Sequence, residues 1–101
     1  MELTNLFSVE NKVVLVSGGS RGIGEMIAST FLANGAKVYI SSRSIEDSMK
    51  TAEKLTNKFN AKCFAIPCDI SSLNGIEGLH NKFIKFEKNL DVLVNNAGAV
   101  W

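Results

Sequence analysis

The chain has 101 residues, 46% of them hydrophobic and 21% charged, with a single proline, which fits one small globular domain and is too short for two. Eleven basic against ten acidic residues leave a formal net charge of +1, so nothing in the charge balance calls for nucleic acid or an anionic membrane surface as a partner. No apolar run approaches the roughly 18 residues that span a bilayer. The opening MELTNLFSVENK has neither a secretory nor an Arg-rich transit pattern, so a cytoplasmic location is expected.

Met1 to Lys12 read as a lead-in, with Leu6, Phe7 and Val9 as anchors on the body of the domain. A first strand is predicted over Val13 to Ser17, apolar on both faces as a strand inside a parallel sheet must be. It runs into SGGSRGIG, whose glycines at Gly18, Gly22 and Gly24 are spaced G-x-x-x-G-x-G. Gly18 permits a turn that a side chain would forbid, Gly22 lets the backbone come close to a pyrophosphate, and Gly24 lets the next helix pack near the sheet. The free N–H groups of that helix start favour an anion at the same spot. A P-loop is excluded, because Glu25 and Met26, not Lys and Ser or Thr, follow Gly24.

The helix extends from Gly22 to about Asn34, with Ile23, Met26, Ile27 and Phe31 at helical spacing and Asn34-Gly35 as its stop. KVYIS, Lys37 to Ser41, is a second strand, followed by Ser42, Arg43 and Ser44. Ser44 caps a second helix whose apolar stripe is Met49, Ala52, Leu55 and Phe59. A third strand is predicted over Lys62 to Cys68, ending at Asp69. Ser71 or Ser72 then caps a third helix with core face Leu73, Ile76, Leu79, Phe83 and Phe86, weakened by Gly75 and Gly78. A fourth strand, Leu90 to Val94, delivers Asn95, Asn96, Ala97 and Gly98 just past its end.

Cys63 and Cys68 lie five apart in one strand and so point to opposite faces, which argues against a mutual bridge and for structural or idle thiols in a reduced compartment. His80 stands apart from both, and no metal-ligand set is expected.

Strand and helix alternate β-α-β-α-β-α-β, which predicts an α/β fold: the first half of a Rossmann-type doubly wound parallel sheet, in the order 3-2-1-4. Ligands of such sheets bind beyond the carboxyl ends of the strands at the switch point, here between strands one and four. Gly18 to Gly24, Arg43, Asp69 and Asn95 to Gly98 are all predicted to converge there.

Together these residues resemble the short-chain dehydrogenase/reductase family through nearly the whole chain. SGGSRGIG is similar to the family's cofactor loop, with Ser17 where Thr is usual, a change that keeps the hydroxyl. CDI at Cys68 to Ile70 resembles the motif after strand three, which implies that Asp69 hydrogen-bonds adenine, with Ile70 beside it. NNAG at Asn95 to Gly98 resembles the strand-four signature, which steadies the sheet and passes the cofactor ribose. The resemblance thus implies a cofactor site of Ser17, Gly18, Ser20, Arg21, Gly22, Ile23, Gly24, Ser42, Arg43, Asp69, Ile70, Asn95, Ala97 and Gly98. Plainer readings stand beside it: Asp69 as a helix cap, Asn95 and Asn96 as turn residues, Ser20 and Arg21 as solvated loop tips.

An NAD-preferring site carries Asp or Glu about 20 residues beyond the glycine loop, at the end of strand two. Arg43 occupies that place, with Ser42 beside it and Arg21 in the glycine loop, so NADP(H) is expected over NAD(H). The same arginine disfavours a methyltransferase, which expects an acid there.

The family's chemistry implies a proton-donating Tyr in Tyr-x-x-x-Lys, with a Ser and an Asn, acting on a carbonyl or alcohol substrate. None of these can be placed. Tyr39 is the only tyrosine, is followed four residues on by Arg43, and lies in strand two, while His80 reads as a helix-surface residue. The expectation is therefore the NADP(H)-binding part, residues 1–101, of a longer oxidoreductase, with a lean to 3-oxoacyl reductases, truncated after strand four and inactive alone. The full-length protein is expected to be a homo-oligomer. The alternative is a non-catalytic nucleotide-binding module or a truncated gene product.

Overall fold

The computed structural model describes residues 8–18, 22–66 and 73–96, and within the last span the side chains other than those of Leu73 and Ile76. In chain order the elements are β1 (Val13–Ser17), α1 (Gly22–Ala33), β2 (Lys37–Ser41), α2 (Ile45–Phe59), β3 (Cys63–Ala65), α3 (Leu73–Phe83) and β4 (Val92–Asn95). The strands form one sheet in the order β3-β2-β1-β4, every neighbouring pair parallel. This is the expected half-sheet, with β1 at its centre and the order reversing between β1 and β4.

The apolar strand runs explain how both faces are covered. On one face Val14, Val16, Val38 and Ile40 pack with Ala28 and Leu32 of α1 and Ala52 and Leu55 of α2. On the other, Leu15 and Tyr39 meet Ile66 and, from α3, Leu79 and Phe83. The helix signals sit where the sequence places them. Gly35, at φ 88°, ends α1 in a left-handed conformation. Ser44 caps α2, its hydroxyl accepting from the Asp47 N–H over 3.1 Å, and Asn60, at φ 48°, closes the helix with its N–H on the Thr56 carbonyl.

The helix faces differ from expectation in an instructive way. In α2 the buried residues are Ser48, Thr51, Ala52 and Leu55, while Met49 is exposed. In α1 they are Gly24, Ala28 and Leu32, while Ile23 and Met26 are exposed. Small residues on the inner face let both helices approach the sheet closely, so apolar size alone misplaces Ile23, Met26 and Met49, while Ile27, Phe31, Ala52, Leu55 and Phe59 pack as expected. Phe86 lies beyond the end of α3 and is exposed.

Strand limits shift for hydrogen-bonding reasons. β4 begins at Val92, not Leu90, because the Asp91 carboxylate accepts the Val13 N–H over 2.8 Å and the Asp91 N–H donates to the Val13 carbonyl over 3.0 Å. β3 is assigned only to Ala65, although the Ile66 N–H still donates to the Ile40 carbonyl over 2.8 Å. Cys63 is buried in the first cluster, and burial pushes its thiol up to about 12, so it stays neutral and unreactive. Cys68, Leu6 and Phe7 lie outside the described residues; Val9 packs against the core as expected. Among the described residues, no helix is long and apolar enough to cross a membrane.

Candidate functional site

The carboxyl ends of β2, β1 and β4 finish in one polar row, since Ser17 is in register with both Ser41 and Asn95. Hydrogen bonds tie the row together. The Ser17 hydroxyl donates to Asn95 Oδ1 over 3.0 Å, the Gly18 N–H donates to the Ser41 carbonyl over 2.7 Å, and the Asn96 N–H donates to the Ser17 carbonyl over 3.0 Å. Whatever follows β1, β2 and β4 therefore starts from a common rim.

The glycine turn rises from this rim for reasons visible residue by residue. Gly18 leaves β1 at φ 76°, and Gly22 opens α1 at φ 63° with no atom of the described residues within 4 Å of where a Cβ would stand. Gly24 is the opposite case: a Cβ there would lie 1.9 Å from the Gly18 carbonyl oxygen and 2.8 Å from Asn96 Nδ2. The start of α1 is thus pressed against the end of β1 and β4, while Gly22 faces open space. A helix start with free N–H groups beside an open, side-chain-free backbone surface fits a pyrophosphate. Glu25, in the first turn, is held sideways by Lys54 of α2 at 2.9 Å.

Arg43 stands in the short link from β2 to α2, two residues past Ser41, with its side chain exposed. Its neighbours are engaged within the fold. The Ser42 hydroxyl donates to the Ser44 carbonyl over 3.0 Å and is also hydrogen-bonded to the Ser48 hydroxyl. Of the expected site residues, Ser17, Gly18, Gly22, Gly24 and Asn95 are brought together at the rim; Ile23 is exposed at the start of α1, and Ser42 and Arg43 follow directly from the Ser41 that Gly18 bonds. Ser20, Arg21, Asp69, Ile70, Ala97 and Gly98 lie outside the described residues.

Asn96 is expected at this convergence without a role of its own, whereas Ser48 is not expected there. Asn96 backs the glycine turn, its Nδ2 reaching the Gly18 carbonyl at 3.5 Å, and the doubled asparagine was the signal for it. Ser48 carries no signal, because a serine near a helix start reads as a polar face. Tyr39 is placed as expected, away from the rim: it is 3% exposed beneath α3, and its hydroxyl donates to Glu87 over 2.6 Å. His80 is exposed on α3. Among the described residues no group of His, Cys, Asp and Glu could hold a metal.

Known proteins share this arrangement. The 3-oxoacyl-[acyl-carrier-protein] reductase of rhamnolipid biosynthesis from Pseudomonas aeruginosa is 44% identical over 95 residues, covering 94% of this chain and 36% of the relative. The structure of the Pseudomonas aeruginosa RhlG/NADP active-site complex superposes with a TM-score of 0.87 at 44% identity, over 92% of this chain and 37% of that one. The L-sorbose reductase of Gluconobacter frateurii, complexed with NADPH and L-sorbose, superposes with a TM-score of 0.86 at 28% identity, over 91% and 35%. The chain thus spans about a third of the length of the relatives it matches. The short chain dehydrogenase profile matches residues 12–101. With that match running from β1 through the glycine turn to the end of the chain, the protein belongs to the short chain dehydrogenase family.

Proposed function

We propose that this chain is the NADP(H)-binding part of an oxidoreductase that interconverts a carbonyl and an alcohol. The observation that carries the cofactor choice is Arg43 at the end of β2, where an NAD-preferring site would hold a carboxylate. A carboxylate repels a 2′-phosphate, whereas an exposed guanidinium meets it with paired, charge-assisted hydrogen bonds. The NADP and NADPH complexes among the similar structures support this reading.

In this proposal Gly18, Gly22, Ile23 and Gly24 hold the pyrophosphate, with Ser20 in the same turn, and Arg43 and Arg21 face the 2′-phosphate, with Ser42 beside Arg43. Asp69 and Ile70 hold the adenine, and Asn95, Ala97 and Gly98 pass the ribose, while Ser17 fixes the rim beneath them. The bound cofactor supplies the hydride chemistry. The proton donor comes from elsewhere in a longer protein, because the sole tyrosine, Tyr39, is buried under α3 and spends its proton on Glu87. The substrate belongs to the 3-oxoacyl class suggested by the relative that is 44% identical. The same sequestered tyrosine supports a second reading, a non-catalytic nucleotide-binding module, which turnover of NADPH with 3-oxoacyl substrates by the full-length protein would dismiss.

The test of the cofactor assignment is titration with NADPH and NADH before and after Arg43→Asp. The expected loss is about ten- to a hundredfold for NADPH alone, from charge-assisted bonds in the usual range. Equal affinities in the parent, or an unchanged NADPH affinity in the variant, would refute it.

A further inference from the structure

A serine inside a helix usually turns its hydroxyl back onto the carbonyl four residues earlier. Ser48 does not have that option. The Ser44 carbonyl already accepts the Ser48 N–H over 3.0 Å and the Ser42 hydroxyl over 3.0 Å, which uses both of its lone pairs. Ser48 is 0% exposed, so water is not its partner either. Its hydroxyl reaches back past the helix cap to the Ser42 hydroxyl.

The protons in this cluster can be assigned by satisfaction. If the Ser42 hydrogen lies on the Ser44 carbonyl, Ser48 donates to Ser42 and every hydrogen has an acceptor. If Ser42 instead donates to Ser48, the buried Ser48 hydrogen is left without an acceptor among the described residues, at a cost that interiors avoid. The first arrangement therefore holds, and it commits the only hydrogen of Ser42 inside the protein. Ser42 can then offer an anion nothing but a lone pair.

Resting on the reading of Arg43 as the 2′-phosphate contact, we propose that Ser48 is a positioning residue for it, acting through Ser42. The segment Ser42-Arg43-Ser44 is pinned at both ends, by Ser48 on Ser42 and by the Asp47 N–H on the Ser44 hydroxyl at 3.1 Å. Its upstream neighbour, Ser41, is fixed to the glycine turn by the Gly18 N–H. Arg43 is thereby held at a set distance from the turn, and the flexible part of the contact is reduced to its own side chain. Ser42 serves the site as a brace and not as a phosphate donor. Preorganisation of this kind shows as affinity for the group being recognised and for nothing else on the ligand.

The readout is the ratio of affinities for 2′,5′-ADP and 5′-ADP, which differ only in the 2′-phosphate, measured by calorimetry on the full chain. Ser48→Ala is suited to it, since alanine favours the helix and removes only the hydroxyl. The ratio is expected to fall about three- to tenfold in Ser48→Ala, the size of one lost net hydrogen bond. Ser42→Ala is expected to give the same fall, and the double variant no more, because the two hydroxyls act as one unit. Equal loss for both ligands, no loss, or additive losses would overturn the brace; if Arg43→Ala still abolishes the preference, the Arg43 reading survives that result. A preference that persists in Arg43→Ala overturns both.

Discussion

The Ser17 hydroxyl, at the end of β1, donates to Asn95 Oδ1, at the end of β4, over 3.0 Å, closing the point where the strand order reverses. The same hydroxyl lies 3.4 Å from the Val94 carbonyl, and Ser17 is buried. Ser17→Ala removes the link and leaves Asn95 Oδ1 without this donor. The expected cost is about 1 kcal/mol, seen as a lower urea midpoint with an unchanged slope.

Gly22 and Gly24 separate two reasons for needing glycine. Gly22→Ala meets no atom of the described residues within 4 Å but must hold φ 63°, so its cost is backbone strain, about 1 to 2 kcal/mol. Gly24→Ala places a Cβ 1.9 Å from a backbone oxygen, which forces α1 away from the strand ends. It is expected to cost more, about 3 kcal/mol, and to lower the thermal midpoint further than Gly22→Ala does. Equal midpoints for the two variants would show that the turn yields without moving the helix.

Much of this was legible from residue order, because it depends on local chemistry. The apolar runs, Ser44 as cap, Gly35 as stop and the alternation of elements each follow from a few adjacent residues, and together they leave one sheet order. The helix faces were less legible. Met26 and Met49 look like core by size, but the inner stripes of α1 and α2 use Gly24, Ala28 and Ser48, whose burial is set by how closely the helices approach the sheet. Asp91 likewise reads as part of the fourth strand until its side chain is seen holding the Val13 N–H across the chain. At the rim, Ser17, Gly18, Gly24 and Asn95 were found through a recognisable pattern, whereas Ser48 belongs to no pattern and acts only through a contact in space.

Ser41 lies beside Ser17 in the rim row and is 1% exposed, yet its hydroxyl has no hydrogen-bond partner among the described residues. A buried hydroxyl without a partner costs free energy that an alanine would not. Ser41→Ala is therefore expected to be neutral or to stabilise by up to about 1 kcal/mol, in contrast to Ser17→Ala in the same row. A fall in the thermal midpoint as large as that of Ser17→Ala would refute this.

The last prediction concerns pH and the link between β2 and the turn after α3. Glu87 accepts the Tyr39 hydroxyl over 2.6 Å and pairs with Lys37, the first residue of β2. The bond from Lys37, then that from Tyr39, hold the Glu87 carboxyl below its ordinary value of 4.5, against the opposing effect of burial. Its contribution to stability is therefore complete above the ordinary value and is lost as the pH falls through the lowered folded one. Tyr39 behaves in the opposite sense. Burial first, then the bond and charge of Glu87, raise its hydroxyl well above the ordinary 10.0, so its contribution is complete below that pH and declines above it, where only the unfolded chain ionises. Since Tyr39 is the sole tyrosine, tyrosinate absorbance reports on this one group. It is expected to appear together with the loss of helical circular dichroism in an alkaline titration, and Tyr39→Phe, which costs about 1 kcal/mol at neutral pH, should flatten the alkaline decline. Glu87→Gln should flatten the acid limb instead. Tyrosinate forming near its ordinary pH in a chain that keeps its circular dichroism would show that Glu87 and α3 do not seal Tyr39.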